Sequence, residues 1–244
     1  MHIQIVIPAR FNSGRLPGKP LIALNGVPMV ERTWRRCIMA APAERVVVAT
    51  DDDRIAAHCE KTGINYIMTS KDCLTGTDRV AEVASRMRAD YFINVQGDEP
   101  LINPEDIRLM MEAAEKAPRD LHLGIAEVET EEQYRNPTIP KAVFREDGRL
   151  LYLSRASIPA TKTLDYRRAW RPIWVYGFPP DALAAYAARG GKTMIEEIED
   201  NESIRFLEMG YDIRLVPMSA ESIAVDTEID IAIVERALRE RGIE

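Results

Sequence analysis

Residues 3–116 alternate short β-branched runs with amphipathic runs, and this alternation constrains the fold more than any other feature of the chain. Ile3 to Ile7 reads as a buried strand, Pro28 to Ala41 as a helix opened by a proline, and Arg45 to Thr50 as a valine-rich strand. Asp53 to Thr62 is a helix that Gly63 ends, and Ile64 to Met68 is a third strand. Asp78 to Met87 carries Val80, Val83, Ala84 and Met87 at i, i+3, i+4 and i+7, which is one face of a helix. Tyr91 to Val95 is a fourth strand. Asn103-Pro104 then opens a helix to about Lys116, with a capping side chain followed by proline at the first helical position. This rhythm predicts a parallel sheet with right-handed crossovers, whose ligands lie beyond the carboxyl ends of the strands. Pro8 to Lys19, Asp51 and Asp52, and Gln96 to Pro100 then share one edge.

The second half differs. Lys141 to Arg145 and Leu150 to Ser154 flank Asp147-Gly148, a hairpin turn signal. Trp174 to Phe178 is a strand, Pro180 to Arg189 and Glu202 to Met209 are helices, Asp212 to Pro217 is a strand, and Thr227 to Arg241 is a terminal helix. No long linker, repeat or low-complexity run divides the chain. The expectation is one α/β domain over 1–244 with a mainly parallel mixed sheet, and 130–190 as an inserted lobe that closes over substrate or builds a dimer.

A net charge of -7 argues against general nucleic-acid binding, although a local cluster of Arg and Lys still suits a small anion. Cys37, Cys59 and Cys73 are odd in number and have no CxxC spacing, so free thiols in a reducing compartment are expected. The strand-like start is unlike a signal peptide, and no apolar run reaches membrane-spanning length. A cytoplasmic protein without membrane insertion is the resulting expectation.

Four segments carry candidate chemistry. Pro8 to Pro20 follows the first strand and holds Arg10, Arg15 and Lys19, with Gly14 and Gly18 allowing close backbone approach; a triphosphate needs such neutralisation. It is not a Walker loop, since its glycines enclose three residues and Pro20 follows the lysine, and the chain has no GxGxxG. A solvated turn with scattered charges is the alternative. In Asn94 to Pro100, carboxylates arrive as a buried strand ends. Asp98 is placed to bind magnesium, which prefers one or two carboxylates plus phosphate and water oxygens; acids facing water are the alternative. In Ser222 to Glu228, Asp226 sits just before a helix, where it or Thr227 is equally able to act as a cap. Thr69-Ser70 and Thr75 to Arg79 bring hydroxyls and Gly76 to a helix start, which suits an anion or simply a capped loop.

Together the segments IPARFNSGRLPGKPL at 7–21, VVVATDDDRI at 47–55, TGTDRVAEV at 75–83, INVQGDEPLI at 93–102, LYLSRASIP at 151–159 and IAVDTEIDI at 223–231 resemble the CMP-Kdo synthetases (3-deoxy-manno-octulosonate cytidylyltransferases), in family order over nearly the whole chain. The resemblance implies a Rossmann-like nucleotidyltransferase fold and a homodimer. It also implies transfer of CMP from CTP to the anomeric hydroxyl of an acidic sugar such as 3-deoxy-D-manno-octulosonate (Kdo). Arg10, Arg15 and Lys19 then resemble the triphosphate cations, with Arg10, Lys19 and Asp98 as the catalytic set. Ala9 and Gly76 lie beside the cytidine, and Ser70, Thr77 and Gln96 are further nucleotide residues. Gln96, Arg155, Tyr176 and Glu202 are acceptor residues, with a structural hinge role as the alternative for Arg155. Asp98 and Asp226 resemble paired Mg2+ ligands.

The chain departs from the family where Pro172 and Ser203 replace a histidine and a glutamine of the sugar pocket. A modified Kdo, another ulosonic acid or an unusual acidic acceptor therefore stays open, as does whether the product enters lipopolysaccharide or capsule. Glu196 to Asp200 reads as a solvated acidic helix face or as a site for a cation, and Trp170 and Trp174 as packing or dimer-interface residues. A non-catalytic CTP sensor would be expected to lack one of the metal carboxylates or phosphate cations, and all are present.

Overall fold

The computed structural model describes residues 1–12, 14 and 16–243. In chain order the elements begin β1 (Ile3–Ala9), β2 (Ala23–Leu24), β3 (Val27–Pro28), α1 (Met29–Ile38), β4 (Val46–Thr50), α2 (Asp53–Thr62), β5 (Tyr66–Met68) and α3 (Gly76–Arg86). They continue β6 (Tyr91–Val95), α4 (Pro104–Lys116), β7 (Leu121–Glu127), α5 (Glu131–Arg135), β8 (Lys141–Phe144), β9 (Leu150–Ser154) and β10 (Trp170–Phe178). The chain ends α6 (Pro180–Arg189), α7 (Met194–Glu199), α8 (Ser203–Glu208), β11 (Ile213–Pro217) and α9 (Glu228–Glu240).

The main sheet runs β11-β7-β10-β6-β1-β4-β5. β1 lies parallel to β4 and β6, β4 to β5, and β11 to β7, while β10 is antiparallel to both of its neighbours. This is the mixed, largely parallel α/β sheet expected. Burial explains the continuous apolar runs: Ile3, Ile5 and Ile7 pack with Val30, Cys37 and Met110 on one face, while Val6, Val47 and Phe92 face a second cluster with Val80 and Val83 on the other. A strand covered on both faces has no reason to alternate polar with apolar. Among the described residues no helix is long and apolar enough to cross a membrane.

Several elements differ from expectation: β2, β3 and α5 were not read in the sequence, and β10 starts at Trp170 rather than Trp174. β7 has no clear strand signature because His122 and Gly124 interrupt it, yet His122 is buried against the Tyr91 hydroxyl (2.7 Å) and a Cβ at Gly124 would lie 2.8 Å from the Ile173 carbonyl oxygen. The backbone approach of β10 therefore requires the glycine that hides the strand. α3 starts at Gly76 rather than Asp78, because Thr75 is its cap and Asp78 returns the bond to the Thr75 N–H. Of 130–190, Trp170–Phe178 is a central strand of the sheet and α6 packs on α3. What stands off the main path is α5 and the β8–β9 hairpin, which joins β10 at Trp170 and Ala142.

Candidate nucleotide and acceptor site

Lys19 organises the cleft. The chain leaves β1 at Ala9, turns back through a bond from the Gly18 N–H to the Phe11 carbonyl (2.9 Å), and brings Lys19 in over the end of β6. Its ammonium donates to Asp98 Oδ2 (2.6 Å), to the Val225 carbonyl (2.8 Å) and to Asp226 Oδ1 (3.2 Å). The Val225 N–H donates to the Asp98 carbonyl (3.0 Å), so backbone as well as side chains tie the two acidic segments together. Thr227, not Asp226, caps α9, and Asp230 closes that capping box. Asp226 instead lines the cleft with Asp98. The neighbouring Glu99 is buried beneath them and bonded by the Ser222 hydroxyl; burial first, then the Asp98 charge, push it up to about 7.

Two hollows meet at this point. The smaller, of about 370 Å³, is lined by Ala9, Arg10, Lys19, Gly76, Arg79 and Gln96 among others. The larger, of about 500 Å³, is lined by Arg155, Trp174, Tyr176, Lys192, Asn201 and Glu202 among others. Arg10, Gly76, Gln96, Asp98 and Asp226 belong to both. The expected nucleotide residues Ala9, Arg10, Lys19, Gly76 and Gln96 thus share one chamber, the expected acceptor residues share the next, and the two carboxylates stand on the common wall. Both volumes fall in the range of small-molecule sites.

Gly97 sets the floor. A Cβ there would lie 2.6 Å from the Pro8 carbonyl oxygen, so the loop bearing Asp98 passes against the end of β1 only with glycine. We predict that Gly97→Ala pushes these loops apart, costs roughly 1–3 kcal/mol of stability and lowers turnover at least tenfold. A thermal melt together with an activity assay checks both, and an unchanged melt would show that the contact yields freely.

Several expected residues have partners within the protein or lie off both hollows. Glu202 accepts from the Thr77 N–H (2.9 Å) and from Gln96 Nε2 (3.2 Å), and burial raises its pKa. It is therefore the anion at the start of α3, where an anion or simply a capped loop was expected, and it orients Gln96. Thr77 is fully buried and lines neither hollow. Ser70 is exposed beside Asp72 and lines neither. Arg155 lines the larger hollow while its guanidinium donates to the carbonyls of Glu199 (2.8 Å), Pro137 (3.3 Å) and Asp200 (3.3 Å), so it also braces the 137 and 199–200 segments. Tyr176 is buried, with its pKa raised by burial and then by Glu202. Arg15 lies outside the described residues.

The acidic run is only in part a solvated face: Glu197 and Asp200 are exposed, while its other acids are held within the protein. Glu196 is fully buried and forked onto Arg205 (2.7 Å to each nitrogen), and Glu199 accepts from Ser154 Oγ (2.7 Å) and the Arg155 N–H (2.8 Å). Asp200, at φ +47°, turns toward both hollows and holds Lys192 (2.8 Å). Trp174, taken as packing or interface, lines the larger hollow beside Tyr176. Arg79 is a site residue missed in the sequence. It is buried, lines the nucleotide hollow and donates to Asp51 Oδ2 (3.1 Å), and its place in the TGTDR helix start was the available signal.

The sequence model of the cytidylyltransferase family matches residues 4–213. The 3-deoxy-manno-octulosonate cytidylyltransferase of Chlorobaculum parvum is 40% identical over 246 residues, covering 99% of both chains. That of Myxococcus xanthus is 40% identical over 239 residues, covering 97% of this chain and 96% of its own. A solved CMP:2-keto-3-deoxy-manno-octonic acid synthetase complexed with CTP superposes with a TM-score of 0.92 at 32% identity, over 99% of this chain and 100% of that one. A cytidylyltransferase from Leptospira borgpetersenii shares the fold at 17% identity, with a TM-score of 0.66 over 98% of this chain and 87% of its own. With the cation-lined turn after β1, the acidic pair and the adjoining hollows in the order the sequence motifs require, the chain belongs to the cytidylyltransferase family, among the 3-deoxy-manno-octulosonate cytidylyltransferases.

Proposed function

We propose that the protein transfers CMP from CTP to the anomeric hydroxyl of Kdo, releasing pyrophosphate and a proton. The observation that carries this reading is the meeting of Asp98 and Asp226 on one cation, Lys19, at the wall between the two hollows. One hollow suits an anionic nucleotide and the other an acidic acceptor, so the α-phosphorus and the attacking hydroxyl meet at that wall. Arg10 and Lys19 neutralise the triphosphate and hold it for in-line attack. Gln96, oriented by Glu202, fixes the position between the chambers. Holding two anions together in a fixed geometry supplies most of the rate.

The same pair fits a magnesium ion. Both side chains are hard oxygen donors, both already approach a single positive charge, and both are partly open to the cleft, at 30% and 42% side-chain exposure. Among the described residues no group of three or more acidic, histidine or cysteine side chains is placed to hold a metal ion, so substrate phosphates and water would complete the shell. When bound, the ion would supply Lewis-acid polarisation of the phosphoryl group and a lower pKa for the attacking hydroxyl. A homodimer belongs to the same reading through the resemblance to the family, and a cytoplasmic location agrees with the free Cys37, Cys59 and Cys73.

The departures from the family sequence at Pro172 and Ser203 leave a second reading at the level of the acceptor alone, namely a modified ulosonic acid. Pro172 lines a neighbouring hollow rather than the acceptor chamber, and Ser203 is buried next to Tyr176, which does line that chamber, so either replacement would act on the acceptor indirectly. The test is to incubate the protein with CTP, magnesium and separate sugar acids, then identify CMP conjugates by mass. Kdo is expected to give CMP-Kdo with the highest kcat/KM. A tenfold preference for another ulosonic acid would install the second reading, and release of pyrophosphate with none of them would overturn both.

A further inference from the structure

The reading above makes no use of a further hollow, of about 360 Å³, that reaches Pro100. Its charged lining is entirely cationic: Arg32, Arg35 and Arg36 from α1, and Arg241 just after α9, with Pro100 beside them. In a chain of net charge -7, four guanidiniums around one cavity of this size are conspicuous. Arg32 is only 3% exposed, donates through Nε to the Leu24 carbonyl (2.7 Å), and leaves its buried Nη1 with no partner. A buried guanidinium N–H without an acceptor is costly, and an anion in the hollow would satisfy it.

The local carboxylates do not line this hollow. Glu31 is engaged by Arg35 (2.7 Å) and His58 (2.9 Å), Glu235 by the Asn25 N–H (2.8 Å), and Glu221 by Asn103 (3.4 Å). Crowding of like charge agrees with this picture: burial, and then Arg35, lower the pKa of Arg32, and burial, and then Arg241, lower that of Arg36. Negative charge brought into the hollow relieves both.

We infer that Arg32, Arg35, Arg36 and Arg241 form a binding site for a phosphate-class oxyanion, separate from the nucleotide cleft. The four arginines grip it by charge-assisted bonds, as guanidinium forks grip phosphate generally. The site is built onto the machinery from behind. Arg36 Nε holds the Ile102 carbonyl (2.8 Å), Thr33 of α1 donates to the Gly97 carbonyl (3.2 Å), and Arg241 donates to the Glu221 carbonyl (3.0 Å). An occupant therefore ties α1 to the loops that carry Asp98 and Asp226. Inorganic phosphate and pyrophosphate share the required chemistry.

The test is calorimetric titration of each anion, at constant ionic strength, into the full chain saturated with CTP and lacking acceptor, so that the cleft is filled. Wild type is expected to bind one anion. Arg36→Gln/Arg241→Gln is expected to weaken it at least tenfold, while Arg10→Ala leaves it within about twofold. Tighter binding of pyrophosphate would identify the reaction's own product as the source, and tighter binding of phosphate the solvent pool. If the double variant fails to fold, the exposed Arg241→Gln alone is expected to weaken binding at least threefold. Absence of binding to roughly 10 mM, or binding lost in Arg10→Ala and unchanged at the arginine hollow, overturns the assignment.

Discussion

Asp98→Asn is expected to leave the fold intact and to lower turnover by roughly a thousandfold, about 4 kcal/mol of transition-state stabilisation. The substitution keeps shape and removes one charge. Lys19 retains the Val225 carbonyl and Asp226, and the backbone bond from Val225 to the Asp98 carbonyl does not involve the side chain. Stability should therefore move by no more than about 0.5–1 kcal/mol, the scale of a partly exposed substitution. What is lost is half of the acidic pair at the point where the α-phosphoryl group must sit. A steady-state assay with saturating CTP and magnesium, run beside a thermal melt, separates the two effects. Near-normal turnover would show that Asp98 is not part of the reacting centre.

The largest effect on stability is expected at Arg205, away from the chemistry. Arg205 and Glu196 are both fully buried and joined by two bonds of 2.7 Å. Arg205 also reaches Asp78 at 3.0 Å and lies 3.8 Å from the Tyr186 ring centroid. This network fastens α7 and α8 to the start of α3, the helix that begins at Gly76. Arg205→Met leaves Glu196 as a buried charge without its partner, at a cost of roughly 3–5 kcal/mol. For a chain of this size the melting temperature should fall by roughly 10 °C. Arg205→Met/Glu196→Leu, which removes both charges, should recover much of that loss. A shift under about 2 °C for the single variant would mean that water or a local rearrangement compensates Glu196.

These two predictions also mark where the sequence is legible. β1, β4 and β6 announce themselves because buried strands have only apolar side chains to show, and the expected site edge follows from their direction. β7 is hidden by His122 and Gly124, whose reasons lie in tertiary neighbours, the Tyr91 hydroxyl and the β10 backbone. Glu196 and Arg205 look like surface residues by type, and only the packing of α7 against α8 reveals a buried pair. The same holds for Glu202, which resembles an acceptor ligand yet uses both oxygens within the protein. The pairing of Asp98 with Asp226 had no local signature, since one ends a strand and the other precedes a helix far along the chain. Family resemblance supplied that link, and the bonds through Lys19 and Val225 give it a physical cause.

The most direct test of the account is the effect of magnesium on CTP affinity, measured by calorimetry in wild type, Asp98→Asn, Asp226→Asn and the double variant. If the two carboxylates share one ion on the nucleotide, magnesium tightens CTP binding at least tenfold in wild type. Either single variant loses most of that gain, and the double variant loses little more than either alone. A magnesium gain that survives in the double variant, or losses that simply add, would contradict a shared ion.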